Sequence, residues 1–296
     1  MRRARREDSY CVNVGKLWLV GVKRVEGNLF DIANRIVIIT GGLGQLGRQF
    51  TVSLLECGAK VAIFDAAAAK QDDTLSWLAE AYRNECCVLA VDVTNRNSIE
   101  AGVARVKARW GAPHALVNAA ALDSPPDASS GENGPFENYP ESSWDRVMDV
   151  NLKGVFLCCQ VAGSEMADAG RGSIINIGSI YGLVAPDQRI YEYRRSGETA
   201  FFKPVAYSAS KSGLINLTRY LATYWAERSV RVNMLTLGGV FNNQDTEFLN
   251  GYCARVPMGR MAREDEYNGA VVFLISDASA YMTGSNLIID GGWTAW

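Results

Sequence analysis

Histidine is almost missing from this 296-residue chain: His114 is the single one. None of the seven cysteines (Cys11, Cys57, Cys86, Cys87, Cys158, Cys159, Cys253) stands in a C-x-x-C spacing. That combination leaves no zinc ligand set and no Ser-His-Asp triad, so no metal is expected. His114 just precedes Ala-Leu-Val-Asn118 and reads as a structural residue beside a strand. The cysteines, two pairs of them adjacent, read as reduced thiols of a cytoplasmic protein. Charge of one sign is missing too. The net charge is −2, and no basic face marks a nucleic-acid partner. No apolar run reaches the roughly 18 residues of a membrane span, so no membrane partner is expected.

The start, Met1-Arg-Arg-Ala-Arg-Arg6, imitates the basic head of a signal peptide. Asn13 and Lys16 interrupt the apolar stretch behind it, and no convincing cleavage site follows. Residues 1–29 are expected to be an appended segment, or the product of an over-long translation start, ahead of one domain over 30–296. There, β-rich runs alternate with helical patterns, which predicts a single α/β domain: a doubly wound Rossmann-type parallel sheet of about seven strands. The expected strands are Ile36–Thr40, Val61–Asp65, Cys87–Val91, Ala115–Asn118, Ser173–Ile177, Arg231–Leu235 and Asn286–Asp290. Helices are expected over Gln45–Glu56, Asp72–Arg83, Ser98–Arg109, Glu141–Ala169, Ser208–Arg228 and Arg263–Ser276.

Four segments in order carry the chemistry. Thr40-Gly-Gly-Leu-Gly-Gln-Leu-Gly47 follows a strand and opens a helix, so its backbone can approach a pyrophosphate at a helix N-terminus. Asp65, at the end of the second strand, suits the adenosine ribose hydroxyls and repels a 2′-phosphate. Ala66 to Ala69 follow it with no arginine, so NAD is expected in preference to NADP. Ser179 ends an apolar run. Tyr207 and Lys211, four apart at the head of an amphipathic run, share a helix face. A phenol titrates near 10, and a neighbouring ammonium favours its phenolate, which suits proton transfer at a hydroxyl or carbonyl.

With Asn151 in Met148-Asp-Val-Asn-Leu-Lys-Gly154, these segments resemble the short-chain dehydrogenase/reductase family from about Phe30 to Trp296. The resemblance implies a catalytic tetrad of Asn151, Ser179, Tyr207 and Lys211, with Asn151 holding a water in a proton path beyond Lys211. It implies a cofactor site formed by Gly41, Gly44, Gln45, Leu46, Gly47, Asp65, Asp92, Val93, Asn118, Ala119, Tyr207, Lys211, Gly238, Val240 and Asn242. It also implies B-face hydride transfer, and a homodimer or homotetramer built on the helices after Glu141 and Ser208. The aromatic tail Trp293-Thr-Ala-Trp296 reads as a surface buried against a partner.

The chain departs from the family pattern in places. Gln45 replaces a glycine of the compact branch, giving the spacing of the sugar-nucleotide branch. Leu237 stands where a proline is usual, Asn242 where a threonine often is, and Ala121 where a glycine is customary. Ser179 and Tyr207 are 28 positions apart, roughly twice the family gap. The extra residues, Asp187 to Pro204, supply Arg189, Arg194, Arg195 and Lys203 with Tyr191, Tyr193, Phe201 and Phe202. They read either as recognition of a polar or anionic small-molecule substrate or as a solvated loop or subunit contact. Substrate contacts are expected from Ser179, Tyr181, Arg189 and Asn243. Val240-Phe-Asn-Asn-Gln-Asp-Thr-Glu-Phe248 reads as a second, amide-rich lid suited to sugar hydroxyls. Gly239-Val-Phe-Asn-Asn-Gln244, the insertion and the Asp-Gly-Gly-Trp293 ending are similar to oxidoreductases of surface-glycan and flagellin sugar modification. The expected activity is NAD(H)-dependent hydride transfer at a secondary alcohol or ketone, of a sugar or sugar-nucleotide. Alternatives are a 3-oxoacyl thioester reductase and a catalytically idle NAD-binding regulator.

Overall fold

The computed structural model describes residues 27–70, 76–123, 132–195 and 201–296. Most of the expected appended segment therefore lies outside the described residues. Seven strands form one parallel sheet in the order β3-β2-β1-β4-β5-β6-β7. They are β1 (Ile36–Thr40), β2 (Lys60–Phe64), β3 (Cys86–Leu89), β4 (Ala115–Asn118), β5 (Gly172–Ser179), β6 (Val230–Leu237) and β7 (Asn286–Ile289). Every residue of β1 and β4, and all but the first of β5, is buried, as a sheet covered on both faces requires. The chain winds outward from β1 in both directions, so a crevice opens at the C-terminal ends of β1 and β4.

The helices are α1 (Gln45–Glu56), α2 (Arg96–Trp110), α3 (Glu141–Met148), α4 (Val155–Asp168), α5 (Val205–Tyr224), α6 (Thr246–Cys253) and α7 (Asn268–Ile275). Ile99, Val103, Met166, Leu214 and Leu221 cover one face of the sheet. Phe50, Leu54, Tyr267, Val271 and Leu274 cover the other. His114 has the expected structural place: its Nδ1 accepts the Ile36 N–H at 3.1 Å. Burial, then Arg171 and Arg35, hold its pKa below the ordinary value.

Several elements differ from expectation. The helix expected over Asp72–Arg83 is not formed over its described part, which holds only a 3₁₀ turn at Glu80–Tyr82. There Leu78 is drawn into the core and Trp77 lies under the Arg48 guanidinium, so burial of these side chains sets the path. The single helix expected over Glu141–Ala169 contains a π-helical segment, Asp149–Gly154, between α3 and α4. A widened turn of this kind inserts an extra residue and re-aims one side chain, here Asn151. The segment expected as helix from Arg263 becomes helical only at Asn268, because Glu266 first folds back onto Arg260 and Arg263. α6 has no counterpart in the sequence reading. Its cap is Asp245, whose side chain accepts the Phe248 N–H at 2.8 Å.

The insertion is a packed strap. Gln188–Arg194 forms 3₁₀ turns, with Ile190, Tyr191 and Phe201 buried against Tyr181, Tyr252 and Trp293. Trp293, expected to meet a partner, instead stacks on Tyr252 within the chain at 4.5 Å between ring centroids. Trp296 is exposed.

Candidate active site

Two adjoining cavities occupy the crevice, sharing Ala119 and Ala121 in their walls. The first, 330 Å³, is bordered by Gly41, Gly44, Asp65, Asp92, Val93 and Val150. Gly41 has φ +67° there, and a Cβ on it would lie 2.7 Å from Ala120 Cα, so the turn requires glycine. Gly47 is held as closely against the backbone of Gly41 and Gly42. Gly44 caps α1 without a side-chain hydrogen bond, leaving the first N–H groups of that helix to a ligand. The Asp65 carboxylate accepts the Leu43 N–H at 3.1 Å and the Ala67 N–H at 2.9 Å, which fixes it at the cavity edge. Asp92 is held by the Thr94 N–H and hydroxyl. Among the described residues, no lysine or arginine borders this cavity. A glycine cradle, an open helix N-terminus and an anchored carboxylate fit a nicotinamide adenine dinucleotide.

The second cavity, 290 Å³, contains Ser179, Tyr181, Tyr207, Lys211, Leu46, Gly238 and Val240 in its wall. Lys211 is buried, and its Nζ donates to Ile177 O at 2.8 Å. Burial lowers its pKa to about 8, partly opposed by Asp123. Tyr207 is half-buried. Burial pushes its phenol up, Asp123 pushes it further, and a hydrogen bond with Ser179 pulls it down. Lys211 Nζ lies 5.7 Å from the centre of the Tyr207 ring. Ser179 and the Tyr207 phenol thus meet at the wall of this cavity.

Asn151 is fully buried in the π-helical turn. Its Oδ1 accepts the Leu122 N–H at 2.7 Å, while Nδ2 donates to Leu122 O at 2.9 Å and to Ser210 Oγ at 3.1 Å. Ser210 Oγ in turn donates to Tyr207 O at 2.7 Å. Asn151 therefore ties the loop after β4 to the helix that carries the tyrosine.

The structure does not bring every expected residue to the crevice. The Asn118 side chain is buried in the sheet and donates to Asn176 Oδ1 at 2.9 Å. Gln45 borders neither cavity. It clasps the glycine loop to the turn after β6, its Nε2 donating to Phe241 O at 3.0 Å. Asn242 and Asn243 are exposed and outside the cavity wall. Arg189 is outside it as well, bound to Asp187 at 2.9 Å. Gln244 and Phe248 of the expected amide-rich lid border the cavity, as do Asp123 and Tyr252, which were not foreseen. Asp123 had a signal, lying just past Asn118-Ala-Ala-Ala121. Tyr252 had none, because α6 was not foreseen. Its hydroxyl accepts the Gly239 N–H at 2.6 Å.

A family model described as enoyl-(acyl carrier protein) reductase matches residues 44–294. The chain belongs to the short-chain dehydrogenase/reductase family. It is 30% identical over 270 residues to an NAD-dependent glycerol dehydrogenase of Listeria innocua, covering 90% of this chain and 96% of that protein. It is 32% identical over 275 residues to a galactitol 2-dehydrogenase of Rhizobium johnstonii, covering 90% and 98%. A crystal structure of a short-chain dehydrogenase from Leptospira borgpetersenii with bound NAD+ matches with a TM-score of 0.77 at 33% identity, covering 90% and 96%. The protein is thus a nicotinamide-dependent oxidoreductase of CH–OH groups. Among the described residues, no helix is long and apolar enough to cross a membrane. Nor, among those residues, does a group of three or more His, Cys, Asp or Glu form a metal site.

Proposed function

We propose that the protein oxidises a secondary hydroxyl of a neutral sugar alcohol to the ketone, using NAD+ in preference to NADP+. The observation that carries this reading is how the insertion's cations are used. Arg189 is paired with Asp187, Arg194 with Asp245, Arg195 with Glu192, and Lys203 with Asp123. Of these four only Lys203 borders the cavity, and it does so with its carboxylate beside it. An anionic substrate would meet Asp123. A polyol chain, whose hydroxyls both donate and accept, suits Asp123, Lys203, Tyr181, Tyr191 and Gln244 together. The names of the two relatives, glycerol and galactitol dehydrogenases, support the same class.

Gly41, Gly44, Gly47 and Asp65 would hold the dinucleotide, which when bound supplies the hydride acceptor. Asp65 and the absence of a cation at that cavity favour NAD. Ser179 orients the reacting oxygen, and the Tyr207 phenolate takes the hydroxyl proton as the carbinol carbon loses its hydride. The Lys211 ammonium favours the phenolate. The reverse reaction returns the same proton to the alkoxide.

The test is nicotinamide reduction with purified protein, NAD+ or NADP+, and a panel of alditols, aldonates and 3-hydroxyacyl thioesters. Turnover of alditols with NAD+ is expected. Turnover confined to the thioesters with NADP+ would replace this reading with acyl reduction, and turnover confined to aldonates would contradict the neutral-substrate assignment.

A further inference from the structure

The crevice holds a second lysine at the catalytic tyrosine. Lys203 arrives from the insertion, and its Nζ lies 5.3 Å from the centre of the Tyr207 ring, no farther than that of Lys211. Its side chain is only 9% exposed, unusual for an ammonium that elsewhere seeks water. The strap places it there: the Lys203 N–H donates to Gln188 Oε1 at 2.9 Å, and Gln188 Nε2 donates to Lys203 O at 3.0 Å. Asp187 ties the strap's start to Arg255, and Arg194 ties its middle to Asp245. Next door, the Phe202 N–H donates to Asn133 O at 2.7 Å, so the loop after β4 closes over the same spot.

Among the described residues, the groups facing the Tyr207 phenol are few. Lys211 comes from its own helix, Ser179 and Tyr181 from the end of β5, Tyr252 from α6, Asp123 from the loop after β4, and Lys203 from the strap. Two of these are cations and one is an anion. We propose that Lys203 is a second positioning cation for Tyr207, held by Asp123 and delivered by the insertion, and that the pair sets the acidity of the phenol. Lys203 favours the phenolate and Asp123 disfavours it, so removing one or the other moves the phenol in opposite directions. Packing alone gives no such opposition.

This rests on the reading of Tyr207 as the proton carrier. The test labels the full chain with [13Cζ]tyrosine, saturates it with NAD+, and follows the resonance missing from Tyr207→Phe against pH. Lys203→Met is expected to titrate about one pH unit above the parent and Asp123→Asn below it. Lys203→Arg, which keeps the charge, is expected to titrate with the parent. Coincident curves for parent and Lys203→Met would overturn the proposal. So would shifts of the same sign in Lys203→Met and Asp123→Asn, the mark of a loosened strap. Turnover of an alditol by Tyr207→Phe at the parent's rate would instead overturn the proton-carrier reading. Loss of that turnover beside coincident curves overturns the role of Lys203 alone.

Discussion

Lys211 carries its charge at a cost to the fold. Its ammonium is buried with one carbonyl partner, and burial lowers its pKa from 10.5 to about 8. Below about 8 the folded and unfolded chains both hold the proton, and the penalty is complete. Between about 8 and 10.5 the unfolded chain still holds a proton that the folded chain has released, so stability rises with pH across that window. Lys211→Met is therefore expected to be more stable than the parent at pH 7, by on the order of 3 kcal/mol. The difference should vanish near pH 10.5, and urea unfolding in the absence of cofactor across this range checks it. The residue is kept for chemistry, at the expense of stability. Asp65 gives a second prediction at this scale. Asp65→Ser should weaken NAD+ binding about tenfold, by loss of charged hydrogen bonds, and should bring NADP+ binding closer to it. Calorimetric titration of both cofactors reads this, and an unchanged ratio would remove Asp65 from the ribose site.

At the scale of elements, two short segments aim the side chains that the helices and strands carry. The π-helical turn drives Asn151 inward, where it satisfies both backbone groups of Leu122 and the Ser210 hydroxyl. Asn151→Ala leaves those buried groups unpaired, and a loss of about 1–3 kcal/mol is expected in denaturant unfolding. Asn151→Asp, which keeps the acceptor but not the donor, should recover part of it. The strap is held by Asp187, whose carboxyl is kept well below the usual range first by Arg189 and then by Arg255. Asp187→Ala is expected to raise KM for an alditol several-fold while leaving NAD+ affinity as it was, since the strap's described residues border the cavity of Tyr207 and not that of Asp65. A change in both would mean that the strap also shapes the cofactor site.

The helical and strand elements were legible wherever one periodicity ruled. α1 and β1 have their expected bounds, because Gly44 opens the helix and Thr40-Gly41 closes the strand. The tyrosine, lysine and serine were legible because their spacing is local to one helix or one strand end. The strap was visible as extra length, but its interior was not. Whether Arg189 faces substrate or Asp187 depends on which carboxylate the fold places beside it. α6 and Tyr252 were hidden for the same reason: the Asp245 cap is local, but the helix is short and its packing on Trp293 is a contact distant in sequence.

Across the whole molecule, the winding order sets what the side chains can do. β1 and β4 are neighbours though the chain leaves them in opposite directions, so their loops separate and open the crevice. The glycine turn and Asp65 sit on one side of it, Ser179 and Tyr207 on the other. Neither half forms a site alone. The activity proposed for this joined crevice is oxidation of a polyol through Tyr207. The most direct test is the rate of NADH formation from galactitol and other alditols by the parent and by Tyr207→Phe, with NAD+ affinity measured on both. Equal affinity and a loss of about 10²–10⁴-fold in kcat for the variant are expected. Equal rates in the two proteins, or no alditol oxidation by a parent that binds NAD+, would contradict it.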